Sequence, residues 1–427
     1  MKSKQNNPYT ISLILWIVLT PLLLFSQDLF LDNFAQKMVD MGFEHVQIYV
    51  GNDRELYIEY ENRAYREELL AMGIVLALVD QAIGTEENVG VTLIPQHRGL
   101  ALCEIQVFLP DYQDYLKGQL SEKYFYRRMN ISGPENHRPL NREMDSGVRN
   151  PSFGKIDLLF SPGMAYQLGH YDDRVKMNFS VLSGLAANTW RGGRVHLSAM
   201  MPVFDEIHVY EKHPRLTMFS FSQVFRTPLN IWGAFSGGYF APDRWGGGLE
   251  LNRYFLNRHV LLGMEGEYTG FLLYDDKEWA YSPLSNFTGS IYAFYHYLPL
   301  NVVLGISYNK FLMQDEGVRF RFSRYFGETL LGAYFTKTDR DKHGGFYMQI
   351  PLSRQKQPYP SRVRARLSDY YQFSYQASNQ VYTYGEPIKT GLKISTGLSL
   401  TEFHKHLTPN YIKNNMHFFK LSLDYLN

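Results

Sequence analysis

The larger, C-terminal part of the chain consists of long runs in which apolar and polar residues alternate. In the run 259–270, Leu262 and Met264 fall on one side, and Glu265 and Glu267 fall on the other. Because side chains of a strand point alternately to the two faces of a sheet, these runs predict strands with one apolar and one polar face. Many runs exceed the typical 5–6 residues of strands in soluble proteins. The pattern is typical of a membrane-spanning β-barrel, whose apolar row meets lipid while its polar row faces the lumen.

A soluble β-sandwich also alternates, and two further features favour the barrel. Lys2 and Lys4 precede the apolar run 11–25, which is a secretory signal peptide pattern, and we expect it to occupy residues 1–27. The apolar run is shorter than the ~20 residues that a spanning helix requires. Alternation also reaches the run 417–426, as in the C-terminal strand that barrel assembly machinery recognises. The sequence therefore predicts export to the envelope of a Gram-negative bacterium.

Composition agrees with a barrel and excludes two other classes. The chain has 32 Tyr, 29 Phe and 34 Gly, which suits strands with aromatic girdles at their ends. The mean hydropathy of −0.29 excludes a bundle of membrane-spanning helices. With 43 Lys and Arg against 42 Asp and Glu, the chain lacks the basic excess that nucleic-acid binding requires.

The predicted fold class is mainly β: a transmembrane antiparallel β-barrel over residues 152–427, preceded by a small α/β periplasmic domain. An even number of strands closes most single-chain barrels, so we expect roughly 12–14 of the candidate runs to form the barrel. The candidate strands are 154–168, 175–189, 193–203, 216–226, 231–240, 246–256, 259–273, 287–298, 301–312, 316–326, 329–338, 344–352, 366–376, 391–402 and 417–426.

Residues 28–120 have a different periodicity and predict the α/β periplasmic domain. The order is helix, two strands, helix, two strands and a short helix. The second helix, 65–82, is apolar on nearly every side, so we expect it at the centre of the domain. Residues 121–151 contain Arg, Gly and Pro with almost no apolar run, which indicates a linker or an ordered connection along the barrel rim.

Two features with possible chemistry favour structural interpretations. Cys103, the single cysteine, lies in a strand-like run, so a half-buried apolar role is favoured over a reactive thiol. The glycines 246–248 lack the spacing and the following helix of a nucleotide-binding loop. They are more typical of strand bending at a barrel rim.

Two clusters of potential ligands are also better explained as surface features. His404 and His406 could bind a metal ion from one strand face, but no third ligand is adjacent, so an exposed segment is favoured. Asp275, Asp276 and Glu278 lie beside aromatic residues and could bind sugar, although a solvated extracellular loop is the preferred interpretation. We therefore expect no metal site and no cofactor.

The polar row of the strands supplies the candidate functional residues. It could form a polar conduit that contacts a passing polysaccharide, or a lumen plugged by internal salt bridges, which we favour slightly. The candidates expected to face the lumen are Arg226, Glu265, Glu267, Arg319, Arg321, Lys393, Lys420 and Asp424.

Several segments in order along the chain resemble a known family. They are YENRAYR (60–66), GYFAPDRWGGGLE (238–250), DEG (315–317), RYF (324–326), GAYFTKTD (332–339) and GFYMQIPL (345–352). The chain resembles the YjbH-like exopolysaccharide-associated outer-membrane proteins, which are related to the GfcD-type capsule proteins. The resemblance implies a role in making or exporting a surface polysaccharide and supplies no catalytic residues.

Together these observations predict a non-enzymatic outer-membrane barrel that assists exopolysaccharide or capsule export. Its expected partners are outer-membrane lipid, polysaccharide, the barrel assembly machinery and periplasmic or lipoprotein components of an export system. Two alternatives stay open: a barrel enzyme that modifies envelope polysaccharide or lipid, and a sealed barrel that scaffolds an export complex.

Overall fold

The computed structural model contains two sheets, one of seven and one of fifteen strands. It describes residues 30–51, 55–84, 88–134, 142–145, 147–168, 175–207, 213–240, 243–256, 258–275, 278–357, 362–376, 384–386 and 407–426. The predicted signal peptide 1–27, the candidate strand 391–402, Lys393, Asp276 and the His404/His406 pair lie outside the described residues. No helix among the described residues is long and apolar enough to cross a membrane.

The smaller sheet and its helices form the α/β part of the molecule. Helix α1 covers residues 30–40. The other elements are β1 (Phe43–Gly51), β2 (Leu56–Asn62), α2 (Glu68–Ile83), β3 (Gly90–His97), β4 (Leu100–Ala101), β5 (Glu104–Phe108), α3 (Leu109–Leu116), α4 (Glu122–Arg128), β6 (Asn130–Ser132) and β7 (Arg142–Asp145). Its strand order is β6-β5-β3-β2-β1-β7, and β4 pairs with β3. Up to α3 the element order is the predicted one, except that three strands, β3, β4 and β5, follow α2 where two were predicted.

Helix α2 lies at the centre of the α/β part, as its uniform apolar character predicts. Every residue from Leu69 to Val79 is buried. The helix connects β2 to β3, and these two strands pair in parallel, because a crossover helix returns the chain to the same end of the sheet. At its N-terminus the Glu67 side chain accepts a hydrogen bond from the Leu69 amide, which satisfies one otherwise unpaired donor.

Residues 121–151 do not form a plain linker. Helix α4 lies within them, and β6 and β7 add the two outermost strands to the seven-stranded sheet. Short polar strands of this kind lack the apolar run that identifies a strand in a sequence, because only the sheet edge contacts them.

The larger sheet contains twelve of the predicted strands in sequence order. Its members are β8 (Ile156–Leu168), β9 (Val175–Asn188), β10 (Gly193–Asp205), β11 (Arg215–Arg226), β12 (Trp232–Phe240), β13 (Arg244–Phe255), β14 (Val260–Asp275), β15 (Glu278–Tyr281), β16 (Asn286–Tyr297), β17 (Val302–Lys310), β18 (Glu316–Phe326), β19 (Thr329–Thr338), β20 (Lys342–Pro351), β21 (Val363–Leu367) and β22 (Tyr370–Gln376). From β8 to β20 each strand pairs antiparallel with its neighbour, and β15 pairs only with β14.

The predicted strand 366–376 is divided between the two ends of this sheet. Strand β21 pairs in parallel with β8, and β22 pairs antiparallel with β20. Only Ser368 and Asp369 separate β21 from β22, so one bent segment contacts both ends. The described pairing runs from β21 to β22 and does not form a continuous ring.

The burial pattern of the large sheet is inverted relative to a soluble protein. Its outer face exposes large apolar side chains, including Phe219 (55%), Ile291 (67%) and Phe320 (51%). Its inner face buries polar residues such as Ser222 and Thr336. A single sheet can bury one face in this way only if it curls around that face.

The C-terminal segment is helical, so the strand predicted at 417–426 is wrong. The chain forms α5 (Pro409–Asn414), α6 (Phe418–Leu421) and a 3-10 turn (Ser422–Tyr425). The buried residues Tyr411, Ile412, Asn415, Met416, Phe419 and Ser422 recur every three to four positions, which is a helical period. This segment packs on α2, where a Cβ on Gly73 would lie 2.7 Å from the Ser422 hydroxyl oxygen.

Candidate functional site: the inner face and its junction with the α/β part

The predicted lumen-facing residues that the structure describes divide into three groups: four on the inner face, one at the end of a strand, and two in the C-terminal helical segment. Glu265, Glu267, Arg319 and Arg321 lie on the inner face, as predicted from their alternation, since their strand neighbours Met264 and Phe320 are exposed on the outer face. Arg226 is the last residue of β11 and is half-buried.

Lys420 and Asp424 are not lumen residues. Both lie in the C-terminal helical segment and are exposed, and the Lys420 ammonium stands 4.5 Å from the centre of the Tyr115 ring. The alternation of Phe419, Leu421 and Leu423 predicted a strand, but the segment is helical, with Phe419 buried and Leu421 and Leu423 exposed.

The acidic residues of the inner face are paired with hydroxyl groups of the neighbouring strand. Thr288 donates a hydrogen bond to Glu267 at 3.0 Å, and Ser290 donates to Glu265 at 2.9 Å. Each pair lies directly opposite in the β14–β16 register. These contacts stabilise the wall. On the other side of β14, Glu265 lies opposite Glu250 in the register, and Glu250 accepts a hydrogen bond from Tyr292 at 2.8 Å.

Arg319 is enclosed on the inner face. Its Nε donates to the Thr336 hydroxyl at 2.8 Å, and its Nη2 donates to the Gly385 carbonyl. Its guanidinium also lies over the rings of Phe311 and Tyr334, at 5.3 and 5.0 Å from their centres. The segment 384–386 thus covers this arginine from the interior, a contact that sequence alone does not indicate.

The most extensive charged cluster lies where the α/β part meets the large sheet, and sequence reasoning missed it. Asp157 on β8 pairs with Arg63 and, at 2.7 Å, with Arg364 on β21. Arg364 also pairs with Glu44 on β1, and Glu44 forms a second ion pair with Lys155 at 3.1 Å. We call this contact zone the junction. Charged residues scattered over the sequence meet here, and no local motif connects them.

Further contacts fix the α/β part on the same end of the sheet. Arg66 pairs at 2.6 Å with Glu328, in the turn between β18 and β19. Tyr411 in α5 donates a hydrogen bond at 2.8 Å to Glu67, which holds the C-terminal segment on the α/β part. Burial lowers the pKa of Arg63, but the attraction of Asp157 and other carboxylates is stronger, so its pKa is raised overall.

One turn of the α/β part reaches the inner face. Arg98, between β3 and β4, has a φ of 53° and accepts a hydrogen bond at its carbonyl from the Gly192 amide at 2.7 Å. Its Nη1 donates to the Ser222 hydroxyl on β11 at 3.0 Å. Ser222 lies directly opposite Arg194 in the β10–β11 register, so two buried arginines flank one inner-face serine.

The remaining candidate features have structural roles or lie on the surface. Cys103 is buried and free, and burial raises the pKa of its thiol to about 12, which agrees with an inert side chain. A Cβ on Gly246 would lie 2.3 Å from the Tyr268 carbonyl oxygen, so this glycine permits a close strand approach, as its predicted structural role requires. Glu278 is exposed on β15 opposite Asp275 in the register. Among the described residues no three His, Cys, Asp or Glu side chains converge to hold a metal ion.

The fold defines a class of proteins whose large sheet is apolar outside and polar inside, with an α/β part at one end. The family model for exopolysaccharide biosynthesis protein YbjH (YjbH) matches residues 26–369. The chain belongs to this family, as the sequence resemblance predicts.

Comparisons with other proteins give weaker similarities. No curated protein matches the chain significantly. A mutant porin of Rh. blastica is similar at 12% identity and a TM-score of 0.28, covering 46% of this chain and 90% of that one. OmpT, an outer membrane protein of Vibrio cholerae, is similar at 8% identity and a TM-score of 0.25, covering 52% and 88%.

Proposed function

We propose that this protein is an outer-membrane β-barrel that assists export of an exopolysaccharide and carries its α/β part in the periplasm. The observation that supports this most strongly is the outer face of the large sheet, where large apolar side chains are exposed on successive strands. Exposing such a surface to water is energetically unfavourable, whereas contact with lipid is favourable. The family's description links the chain to exopolysaccharide biosynthesis.

In this proposal the bent segment 363–376 closes the barrel. The twelve strands from β8 to β20, without β15, run alternately up and down, so a thirteenth strand runs in the same direction as β8. A thirteenth strand must therefore pair in parallel with β8, and β21 does so. This count departs from the even number that most bacterial barrels have.

The turn lengths support a periplasmic α/β part. The turns 189–192, 227–231, 298–301 and 327–328 have two to five residues and lie at the end of the sheet that the α/β part contacts. At the other end, the connections other than the one that contains β15 range from three residues between β19 and β20 to nine residues between β10 and β11. Outer-membrane barrels have their short turns on the periplasmic side. Its surface would then meet periplasmic or lipoprotein components of an export system, and outer-membrane lipid would surround the sheet.

We propose a non-enzymatic role, in which the inner face contacts the polymer as it passes. The hydroxyl-paired carboxylates Glu265 and Glu267 support a wall function rather than acid–base catalysis. A sealed scaffold is the second candidate, and the enclosure of Arg319 by segment 384–386 favours it.

The test is to delete the gene and quantify polysaccharide in the medium, on the cell surface and in the periplasm. Polymer retained in the periplasm is the expected result, and unchanged amounts in all three fractions would contradict the proposal. Complementation with Arg321→Ala separates the two candidates, because Arg321 lies over the Phe294 ring at 5.9 Å without an ion pair among the described residues. A conduit predicts less secreted polymer at normal barrel abundance, while a scaffold predicts normal secretion. Arg319→Ala is the matched control, expected to lower abundance and secretion together.

A further inference from the structure

Two buried arginines beside the junction, Arg98 and Arg194, carry charge that no direct ion pair among the described residues neutralises. Arg98 has no exposed surface and Arg194 is only 5% exposed. Arg63 and Arg364 pair with carboxylates there, but neither Arg98 nor Arg194 has an ion pair among the described residues. Burying a cation without a directly paired counter-charge costs free energy.

The guanidinium donors of these two arginines are also incompletely used. Nε and Nη2 of Arg98, and Nε of Arg194, are buried without a hydrogen-bond acceptor within the described residues. Burial, followed by repulsion from Arg194 and Arg63, lowers the pKa of Arg98 well below its ordinary value. The carboxylate of Asp157 attracts Arg194 but forms its ion pairs with Arg63 and Arg364. The carboxylate of Glu61 attracts both Arg98 and Arg194 but accepts hydrogen bonds from Ser152 at 2.7 Å and from Asn188 at 3.5 Å. It lies beyond ion-pair distance of either arginine.

The backbone holds this pair of arginines in place. Arg98 occupies the left-handed region, which is uncommon for a residue with a side chain and costs conformational energy. The Gly192 amide donates a hydrogen bond to the Arg98 carbonyl. A Cβ on Gly192 would lie 2.0 Å from the Val224 carbonyl oxygen, so only glycine allows the two turns to pack this closely. On the inner face, His196 and Ser220 are opposite each other two pairs further along the β10–β11 register. The arginines therefore lie beside a histidine and two hydroxyl-bearing residues on the inner face.

We propose that Arg98 and Arg194, with Ser222 between them, form a binding site for an anionic group at the mouth of the sheet. Arginine donors match carboxylate and phosphate oxygens, and charge-assisted hydrogen bonds are strong where water is scarce. A bound carboxylate or phosphate would accept the unused N–H groups and compensate the excess charge. We assign the carboxylate of a uronic-acid sugar as the ligand. The choice of a sugar acid rests on the proposed function, whereas the existence of an anion site does not.

The experiment measures binding to the purified full-length protein in detergent micelles. Isothermal titration uses three probes: trigalacturonate, inorganic phosphate and the neutral maltotriose. We expect trigalacturonate to bind and maltotriose not to bind. Phosphate that binds as tightly as trigalacturonate would overturn the sugar-acid assignment, and no binding of either anion would overturn the site. Because the gene deletion measures secretion and this titration measures binding, failure of one proposal is distinguishable from failure of the other.

Two variants and one control test the residues. Arg98→Gln and Arg194→Gln should each weaken trigalacturonate binding about 10- to 100-fold, as expected for loss of one charge-assisted contact. Arg191→Gln, an exposed arginine on the adjacent turn, should bind as the wild type does. Affinities of both variants equal to wild type would overturn the assignment.

A stability measurement covers the case in which a variant folds poorly. Arg98→Met removes the buried charge and keeps an unbranched side chain as far as the position of Nε. Without anion, we expect its thermal midpoint to equal or exceed that of wild type, and trigalacturonate should no longer raise it. A fall in the midpoint, with the rise on adding trigalacturonate retained, would mark Arg98 as purely structural and contradict the proposal.

Discussion

The α/β part and the large sheet use similar residues with opposite placement. In the α/β part the apolar side chains converge on α2, which is buried from Leu69 to Val79. In the large sheet many large apolar side chains, such as Ile291, Leu304 and Phe320, lie on the exposed face, and polar ones such as Thr288, Ser307 and Arg319 lie within. The comparison teaches that apolar residues mark the side of an element that avoids water, and only the surroundings decide whether that side is a core or a lipid surface.

The α/β part and the large sheet meet at the junction. Removing one of its ion pairs is the change for which we expect the largest loss of stability. Asp157→Asn leaves Arg63 and Arg364 with reduced compensation in a buried site, so we expect a loss of about 3–5 kcal/mol in the free energy of unfolding. Urea unfolding measures this loss, and limited proteolysis reports whether the α/β part detaches.

The matched control for this prediction is Asp111→Asn. Asp111 pairs with Arg128, whose side chain is 57% exposed, and exposed pairs contribute about 0–1 kcal/mol. Equal losses in the two variants would show that the junction does not depend on its ion pairs.

A charge on the outer face tests whether that face meets lipid. Phe320 lies near the middle of β18, and Phe320→Arg should cost about 2–4 kcal/mol in lipid vesicles. Phe326→Arg, at the end of the same strand, should cost only about 0–1 kcal/mol because it lies near the interface. Urea unfolding in vesicles measures both. Similar small losses would mean that the sheet does not cross a membrane, and the comparison between the two regions would fail.

The smallest effect concerns a carboxyl group of the α/β part. Burial, together with repulsion by Glu67 and Glu61, raises the pKa of Glu68 from 4.5 to about 7. The folded state therefore holds this proton more tightly than the unfolded chain between these values, so stability falls as the pH rises through this window. The expected fall is about 1–2 kcal/mol, because Glu68 is partly exposed and accepts a hydrogen bond from Asn62.

Glu68→Gln should remove this pH dependence, measured as the unfolding midpoint between pH 5 and 8. Glu122→Gln, an exposed residue at the start of α4, should leave it unchanged. A wild-type midpoint that rises over this range would contradict the assignment of the titration to Glu68.

The sequence by itself determined the elements with strong periodicity. Twelve strands of the large sheet and helix α2 were predictable because each carries its apolar pattern in contiguous residues. The sides on which Glu267 and Arg319 lie followed from the same alternation. The family, too, was recognisable from ordered segments of sequence, and the match over residues 26–369 agrees.

Only the tertiary structure decided the C-terminal segment, the edge strands β6 and β7, and the junction. The run 417–426 has an alternating pattern and a helical one, and its contact with α2 selects the helix. Strands β6 and β7 depend on the edges they extend. Arg98 and Arg194 lie far apart in the sequence, and their proximity depends on the turn that fixes Arg98 against Gly192. Local periodicity reports which side of an element avoids water, whereas contacts between distant residues depend on how complete elements pack.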